Sequence, residues 1–352
     1  MCLNAIEKMT SIDLSQIASI PFVDVANFGG RFLGSLTFHD GERWRVWFPT
    51  VENTLVEVRS AWPAEGYYFA KVPQSPEDMH FRFLNFVAQH AAFPDLKLAV
   101  TGIMDDIANL SASLSKLKLL HSSRESVEHG LERMAATEVE YILLVCRSLF
   151  DLLQEVATKL WDIVQPLDPA QRKGSMKRSF ADVATIRGVP ATAKQLTEKY
   201  GLPQDLADFY ATSAPFFIEL KKMRDSLIHS GSPAPQILHG DLGFLVPERL
   251  RPFSALGIWR EDERKPNGLV PLMPAIAVIV YRTLIACERF SIAMRNNIAL
   301  PPELVPGMAY FMRGYFNDYF VEVMEDARIR DFRSADAEGA SADGDNADIP
   351  EA

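Results

Sequence analysis

The stretch Phe216–Gly231, FFIELKKMRDSLIHSG, decides the fold. At about 100° per residue, Phe216, Phe217, Leu220, Met223, Leu227 and Ile228 form one apolar stripe, the pattern of an amphipathic helix. The helix opens near Leu206, and Ser230, Gly231 and Pro233 stop it. Arg224 falls in the middle of the stripe, between Leu220 and Ile228. A guanidinium cannot shed its proton and is costly to bury alone, so Arg224 must pair with a carboxylate or face an interface or cleft. His229 stands five residues on, at the helix end, where the macrodipole favours its charged form. An arginine and a histidine so placed can bind a phosphate and move a proton.

Upstream, Ser123–Val164 reads as one long helix stopped by Pro166 and Pro169. Its residues Glu140, Arg147 and Asp151 align within about 40° on one face, and Arg147 and Asp151 have i,i+4 spacing. Those three are either a solvated face or the partners of Arg224. Val100–Leu120, Ala275–Asn296 and Pro302–Glu325 read as further helices, and Gln165–Ser179 as a polar, basic loop. Short strands are expected within Ile237–Leu245 and Ala255–Trp259.

The first hundred residues carry strand signals. Phe32–Phe38 and Arg43–Phe48 flank His39-Asp40-Gly41-Glu42, and Asp-Gly between such runs predicts a hairpin with a type I′ turn. Thr54–Arg59 and Gly66–Val72 read as further strands. Arg43-Trp44-Arg45-Val46-Trp47 mixes basic and aromatic residues as single-strand stacking platforms do. Alternation, however, sets Trp44, Val46 and Phe48 on one face, as a half-buried strand requires. The predicted architecture is mainly α. A helical bundle spans residues 99–329, with a β-rich N-terminal appendage over 1–98 and a disordered acidic tail over 330–352.

Composition narrows the function. Of 352 residues, 48% are apolar and 23% charged, enough to bury a sizeable core. Cys2, Cys146 and Cys287 lie far apart, which encodes neither a zinc site nor a disulfide framework and implies a reducing, cytoplasmic setting. Cys146, in an apolar helical run, reads as a small buried hydrophobe. The opening residues lack a basic-then-apolar leader. The longest apolar run, Leu269–Tyr281, contains Pro271 and Pro274 and is too short to cross a bilayer, so no membrane is expected. The net charge is −10, of which Asp336, Glu338, Asp343, Asp345, Asp348 and Glu351 carry −6, leaving −4 for the body. That acidity argues against duplex binding through a broad positive surface but not against a local phosphate site. Nucleotide-binding glycine loops, the zinc-protease motif and the serine-hydrolase elbow are missing, and neither a metal nor a cofactor is expected. His39 and His239 sit beside Gly/Asp turns, which accounts for them without chemistry.

Arg224-Asp225-Ser226-Leu227-Ile228-His229, an R-x-x-x-x-H with a polar residue after the arginine, resembles the motif of HEPN domains (higher eukaryotes and prokaryotes nucleotide-binding). The helix with Glu140, Arg147 and Asp151 is similar to the first long helix of that family, and the resemblance covers roughly residues 100–325. It implies a helical bundle that homodimerises through the motif helices and, in many members, cleaves RNA without metal. The RNA 2′-hydroxyl would attack the adjacent phosphate, with His229 as general base or acid and Arg224 on the phosphorane oxygens. Asp225 or Ser226 would orient the histidine or substrate, and Glu140, Arg147 and Asp151 would support the site. A defence or toxin role with a protein partner such as an antitoxin would follow. The alternative, also met in the family, is a non-catalytic binding module. Five residues of ideal helix set Arg224 and His229 about 140° apart. They meet only if the helix ends before His229 or if two chains pool their residues.

Overall fold

The computed structural model describes residues 22–23, 29–31, 35–49, 55–58, 64–229, 237–249, 253 and 256–344. Within its helices and strands, residues 49, 55, 58, 223–229 and 333–344 are described by backbone alone. Among the described residues there are eight α-helices and ten short strands. The helices are α1 (Arg82–His90), α2 (Lys97–Ser122), α3 (Leu131–Ile163), α4 (Phe180–Ala184), α5 (Ala193–Tyr200), α6 (Gln204–His229), α7 (Leu272–Asn297) and α8 (Asp318–Gly344). The chain is mainly helical. It divides into two compact units, one of Met1–Ala108, Leu149–Pro215 and Ala286–Asn317, the other of Asn109–Ser148, Phe216–Ile285 and Asp318–Ala352.

The first unit holds a five-stranded sheet made of β1 (Leu36–His39), β2 (Trp44–Pro49), β3 (Leu55–Val58), β4 (Gly66–Ala70) and β10 (Ala309–Arg313), in the order β10-β4-β1-β2-β3. The expected hairpin forms, with Leu36 opposite Trp47 and His39 opposite Trp44. Its loop is four residues long instead of a two-residue type I′ turn. The Asp40 carboxylate accepts the N–H groups of Glu42 (3.0 Å) and Arg43 (2.9 Å), so the side chain closes the loop and only Gly41 takes a positive φ. The expected burial of Trp44, Val46 and Phe48 fails at Phe48, which is 44% exposed, while Trp47 is buried. Trp47 is buried because the sheet carries an apolar cluster on that face too, while Phe48 belongs to neither cluster. Trp47 packs with Leu36, Phe38, Phe69, Leu304 and Val305, and Trp44 with Tyr68, Ala70 and Phe311. Neither tryptophan is presented as a stacking platform.

The expected helix Pro302–Glu325 is replaced by β10 and the start of α8. Gly307 (φ 73°) and Gly314 (φ 80°) bracket the strand, which pairs antiparallel with β4, Phe311 opposite Tyr68. Helical packing in this unit centres on Phe150, Phe180, Phe209, Tyr210 and Phe290, whose rings meet at 4.9–6.2 Å. The Tyr210 hydroxyl donates to Gln154 Oε1 (2.7 Å), and Gln154 Nε2 donates to the Lys177 carbonyl (2.7 Å). Two strands, β5 (Thr185–Ile186) and β6 (Val189–Pro190), form a small hairpin between α4 and α5.

The second unit contains β7 (Leu238–Gly240), β8 (Gly243–Pro247) and β9 (Leu269–Pro271), in antiparallel sequence order. The third strand is β9 instead of Ala255–Trp259. Residues 256–260 are irregular, with Trp259 Nε1 donating to the Pro271 carbonyl (2.9 Å). The expected continuous helix Ser123–Val164 is also corrected. α2 ends at Ser122, a turn runs to Gly130 (φ 80°), and α3 begins at Leu131. Leu110, Leu114 and Leu117 of α2, Val139, Ile142 and Leu143 of α3, and Phe217 and Leu220 of α6 are all buried at helical spacing. Cys146 is buried, as its apolar setting predicts. α8 is helical as backbone to Gly344, beyond the point at which composition predicts a disordered tail; the alanines of 335–344 are good helix formers. Residues 345–352 lie outside the described residues.

Candidate functional site

The predicted site residues fall on α3 and α6. Glu140 and Arg147 are half-buried on α3, and Asp151, also on α3, is exposed. The Arg147 guanidinium carbon lies 4.5 Å from the centroid of the Phe217 ring on α6, a cation–π contact. Phe217 and Arg224 are seven residues apart, which on an α-helix is two turns and nearly the same azimuth. The face of α6 that meets Arg147 is therefore the face on which position 224 stands. The side chains of Arg224, Asp225, Ser226 and His229 lie outside the described residues. Their backbone does not: α6 continues unbroken through His229. The helix therefore does not end before the histidine, and positions 224 and 229 remain about 140° apart within one chain.

The second unit also holds a cavity of about 450 Å³ that sequence reading passes over. It lies between the α2–α3 turn and the β7–β8 hairpin, and its lining includes Arg124, Glu128, His129, Glu132, His239 and Asp241. His239 Nδ1–H donates to Glu132 Oε1 at 2.5 Å. That bond, helped by a backbone N–H at the start of α3, holds the Glu132 carboxyl below the usual carboxylate range. His121 Nε2–H donates to the Gly240 carbonyl (2.9 Å), with its ring edge-on to Phe244, and so fixes the hairpin against the turn. The bond holds the His239 ring through its Nδ1 edge. The local charge decides against phosphate here. Glu125, Glu128, Glu132 and Asp241 line the cavity against the single guanidinium of Arg124, so a phosphodiester would be repelled. No local signal marks His239 and Glu132 as partners, because 107 residues separate them.

Among the described residues no group of three or more His, Cys, Asp or Glu is placed to hold a metal ion. No described helix is long and apolar enough to cross a membrane. No protein-family model, no curated protein and no solved structure matches the chain.

Proposed function

We propose that the chain is a HEPN-like, metal-independent endoribonuclease acting as a homodimer on single-stranded RNA. The observation that carries the reading is the Arg147–Phe217 contact, which turns the α3 face bearing Glu140 and Arg147 toward the α6 face bearing position 224. That contact supports pairing of the two helices on which the resemblance rests. Because α6 runs through His229, one chain does not bring the arginine and histidine together by ending its helix. Two copies related by a two-fold axis would do so, each α6 supplying what the other lacks.

The reaction is a transesterification. The 2′-oxygen forms a bond to phosphorus, the bond from phosphorus to the 5′-oxygen breaks, and the products carry a 2′,3′-cyclic phosphate and a 5′-hydroxyl. His229 takes the 2′-hydroxyl proton or delivers one to the departing 5′-oxygen. Arg224 offers fixed, permanently charged donors to the phosphorane oxygens, and Asp225 or Ser226 orients the histidine. A defence or toxin role with a protein partner fits that activity.

The test is cleavage of end-labelled single-stranded RNA by the wild type, His229→Ala and Arg224→Ala, with product ends identified and dimerisation followed by light scattering. Both variants lose cleavage, the wild type keeps it in EDTA, and the wild type is a dimer at micromolar concentration. EDTA-sensitive cleavage leaving 5′-phosphates would replace the mechanism. Absence of cleavage on every RNA tried would favour the non-catalytic binding module.

A further inference from the structure

We propose that residues 171–199 of the first unit form the surface that holds the RNA backbone. The choice of RNA among polyanions rests on the reading above; the surface itself rests on charge and geometry. The segment carries seven Lys and Arg against two carboxylates, Asp182 and Glu198, so it is +5 in a chain whose net charge is −10. Arg172, Lys177, Arg178 and Arg187 are exposed, and among the described residues no carboxylate pairs with them. Lys194 and Lys199 are exposed as well, although Lys194 stands 3.9 Å from Glu198.

The segment is built, not loose. Gly174 N–H donates to the Tyr200 carbonyl (2.8 Å), the Tyr200 hydroxyl donates to the Asp182 carbonyl (3.0 Å), and Ala191 N–H donates to the Ala184 carbonyl (2.9 Å). These bonds bring the basic loop, α4, the β5–β6 hairpin and α5 into one piece. Trp161 Nε1 donates to the Gly174 carbonyl (3.0 Å), and Lys173 Nζ caps the Val164 carbonyl (2.7 Å), so the loop is anchored beneath its exposed arginines. At Gly201 (φ 65°) a Cβ would come within 2.1 Å of the Arg172 carbonyl oxygen, so this close approach requires glycine.

The hairpin tip supplies an independent argument. Arg187 (φ 54°) and Gly188 (φ 79°) make a two-residue turn with both φ positive, a geometry that Asn-Gly or Gly-Gly adopts most readily. Arginine is disfavoured at such a φ, and its side chain there is exposed. Strain kept at an exposed cation points to a ligand. A flexible single strand can bring its phosphates to cations gathered on one surface, and the net acidity of the rest of the chain restricts where a polyanion can settle.

The experiment uses the full chain and a fluorescein-labelled, 2′-O-methylated uridine 20-mer, which cannot be cut through its 2′-oxygen. Anisotropy titrations across a salt series compare the wild type, Arg172→Gln/Arg178→Gln/Arg187→Gly, and the charge-matched control Lys71→Gln/Lys265→Gln/Arg289→Gln, all at exposed positions. The first triple variant weakens binding about tenfold or more and lowers the salt slope by about 2, as three lost single-strand phosphate contacts would, while the control stays near wild type. Arg187→Gly alone binds RNA less tightly yet melts no lower than wild type. Equal binding by the wild type and the first triple variant, an equal loss in the control, or displacement of the RNA by polyglutamate at matched charge overturns the proposal. Wild type that binds through this surface but cleaves none of the RNAs tried supports the surface and removes the nuclease reading.

Discussion

Replacing Asp78 by alanine should be among the most damaging single changes in the sheet-bearing unit. Its carboxylate is paired in a bidentate fork with Arg313, Nε to Oδ1 at 2.8 Å and Nη2 to Oδ2 at 2.6 Å, with side chains only 5% and 1% exposed. Oδ2 also accepts the Tyr68 hydroxyl (2.6 Å) and the N–H groups of Gln74 (3.0 Å) and Ser75 (2.8 Å). One carboxylate thus joins β4, the turn before α1, and β10. The guanidinium carbon lies 4.8 Å from the Trp44 ring and 5.5 Å from the Tyr68 ring, two rings that also meet each other edge-on, so the pair is walled by aromatic surface. Asp78→Ala strands that cation away from its carboxylate, a loss of about 3–5 kcal/mol. Arg313→Met costs less, about 2 kcal/mol, because three donors still hold the carboxylate. The double variant loses less than the sum of the singles, by about 1–3 kcal/mol. Urea unfolding followed by tryptophan fluorescence reads this out, since Trp44 packs on the pair. Burial raises the Asp78 pKa, but the hydrogen bonds from Arg313 and Tyr68 outweigh it and hold the carboxyl below its usual range. The pair's stabilisation is therefore complete above about pH 4 and lost as pH falls further. An Asp78→Ala unfolding free energy within about 1 kcal/mol of wild type, or purely additive singles, would refute this account.

Three further outcomes follow from other groups. Burial pulls the His90 imidazole below its ordinary value of 6.5 even though Nδ1 bonds the Pro301 carbonyl, so stability is complete above about pH 6.5 and declines below it; thermal melts between pH 8 and 5.5 should show a steeper loss for wild type than for His90→Gln. Glu288 caps α1 by accepting the Phe83 N–H (3.1 Å), and burial raises its pKa, so the ionised form is a liability at neutral pH. Glu288→Gln keeps an acceptor without the charge and should melt no lower than wild type at pH 7.5, with any gain shrinking toward pH 4. Gly201→Ala combines a positive φ of 65° with a 2.1 Å backbone clash and should cost at least about 2 kcal/mol in urea unfolding.

Much of the helical frame is legible because its signal is local. α2, α6 and α7 match their expected spans closely, and the Asp40–Gly41 punctuation marks the first hairpin. What is missed depends on partners far along the chain. Ala309–Arg313 reads as helix in isolation, and its strand identity comes from pairing with Gly66–Ala70 some 240 residues earlier. Trp47 is buried against expectation because a period-2 pattern cannot say that both faces of a sheet carry apolar clusters, nor that the cluster on the Trp44 face stops short of Phe48. α1 and α4–α5 are too short for a strong periodic signal. His239 is dismissed as a turn residue because its carboxylate partner lies on another element.

Charge is where the averaged reading and the folded chain diverge most. An overall −10 weakens the case for nucleic acid, and once the tail's −6 is set aside the remaining −4 is nearly uninformative. Yet one 29-residue segment carries +5, and only residues 171–179 of it fall in the basic loop read from sequence, Gln165–Ser179. Arg187, Lys194 and Lys199 join it through backbone bonds at Gly174, Tyr200 and Ala191, which no composition window reports. The carboxylates at the His239 cavity concentrate the opposite sign in the other unit. A polyanion therefore meets strongly different potentials at different places on this protein. On the proposed function, that contrast favours backbone contacts of a single strand with residues 171–199, whereas a duplex, with its denser phosphate charge, would need a broader positive field than the sequence provides.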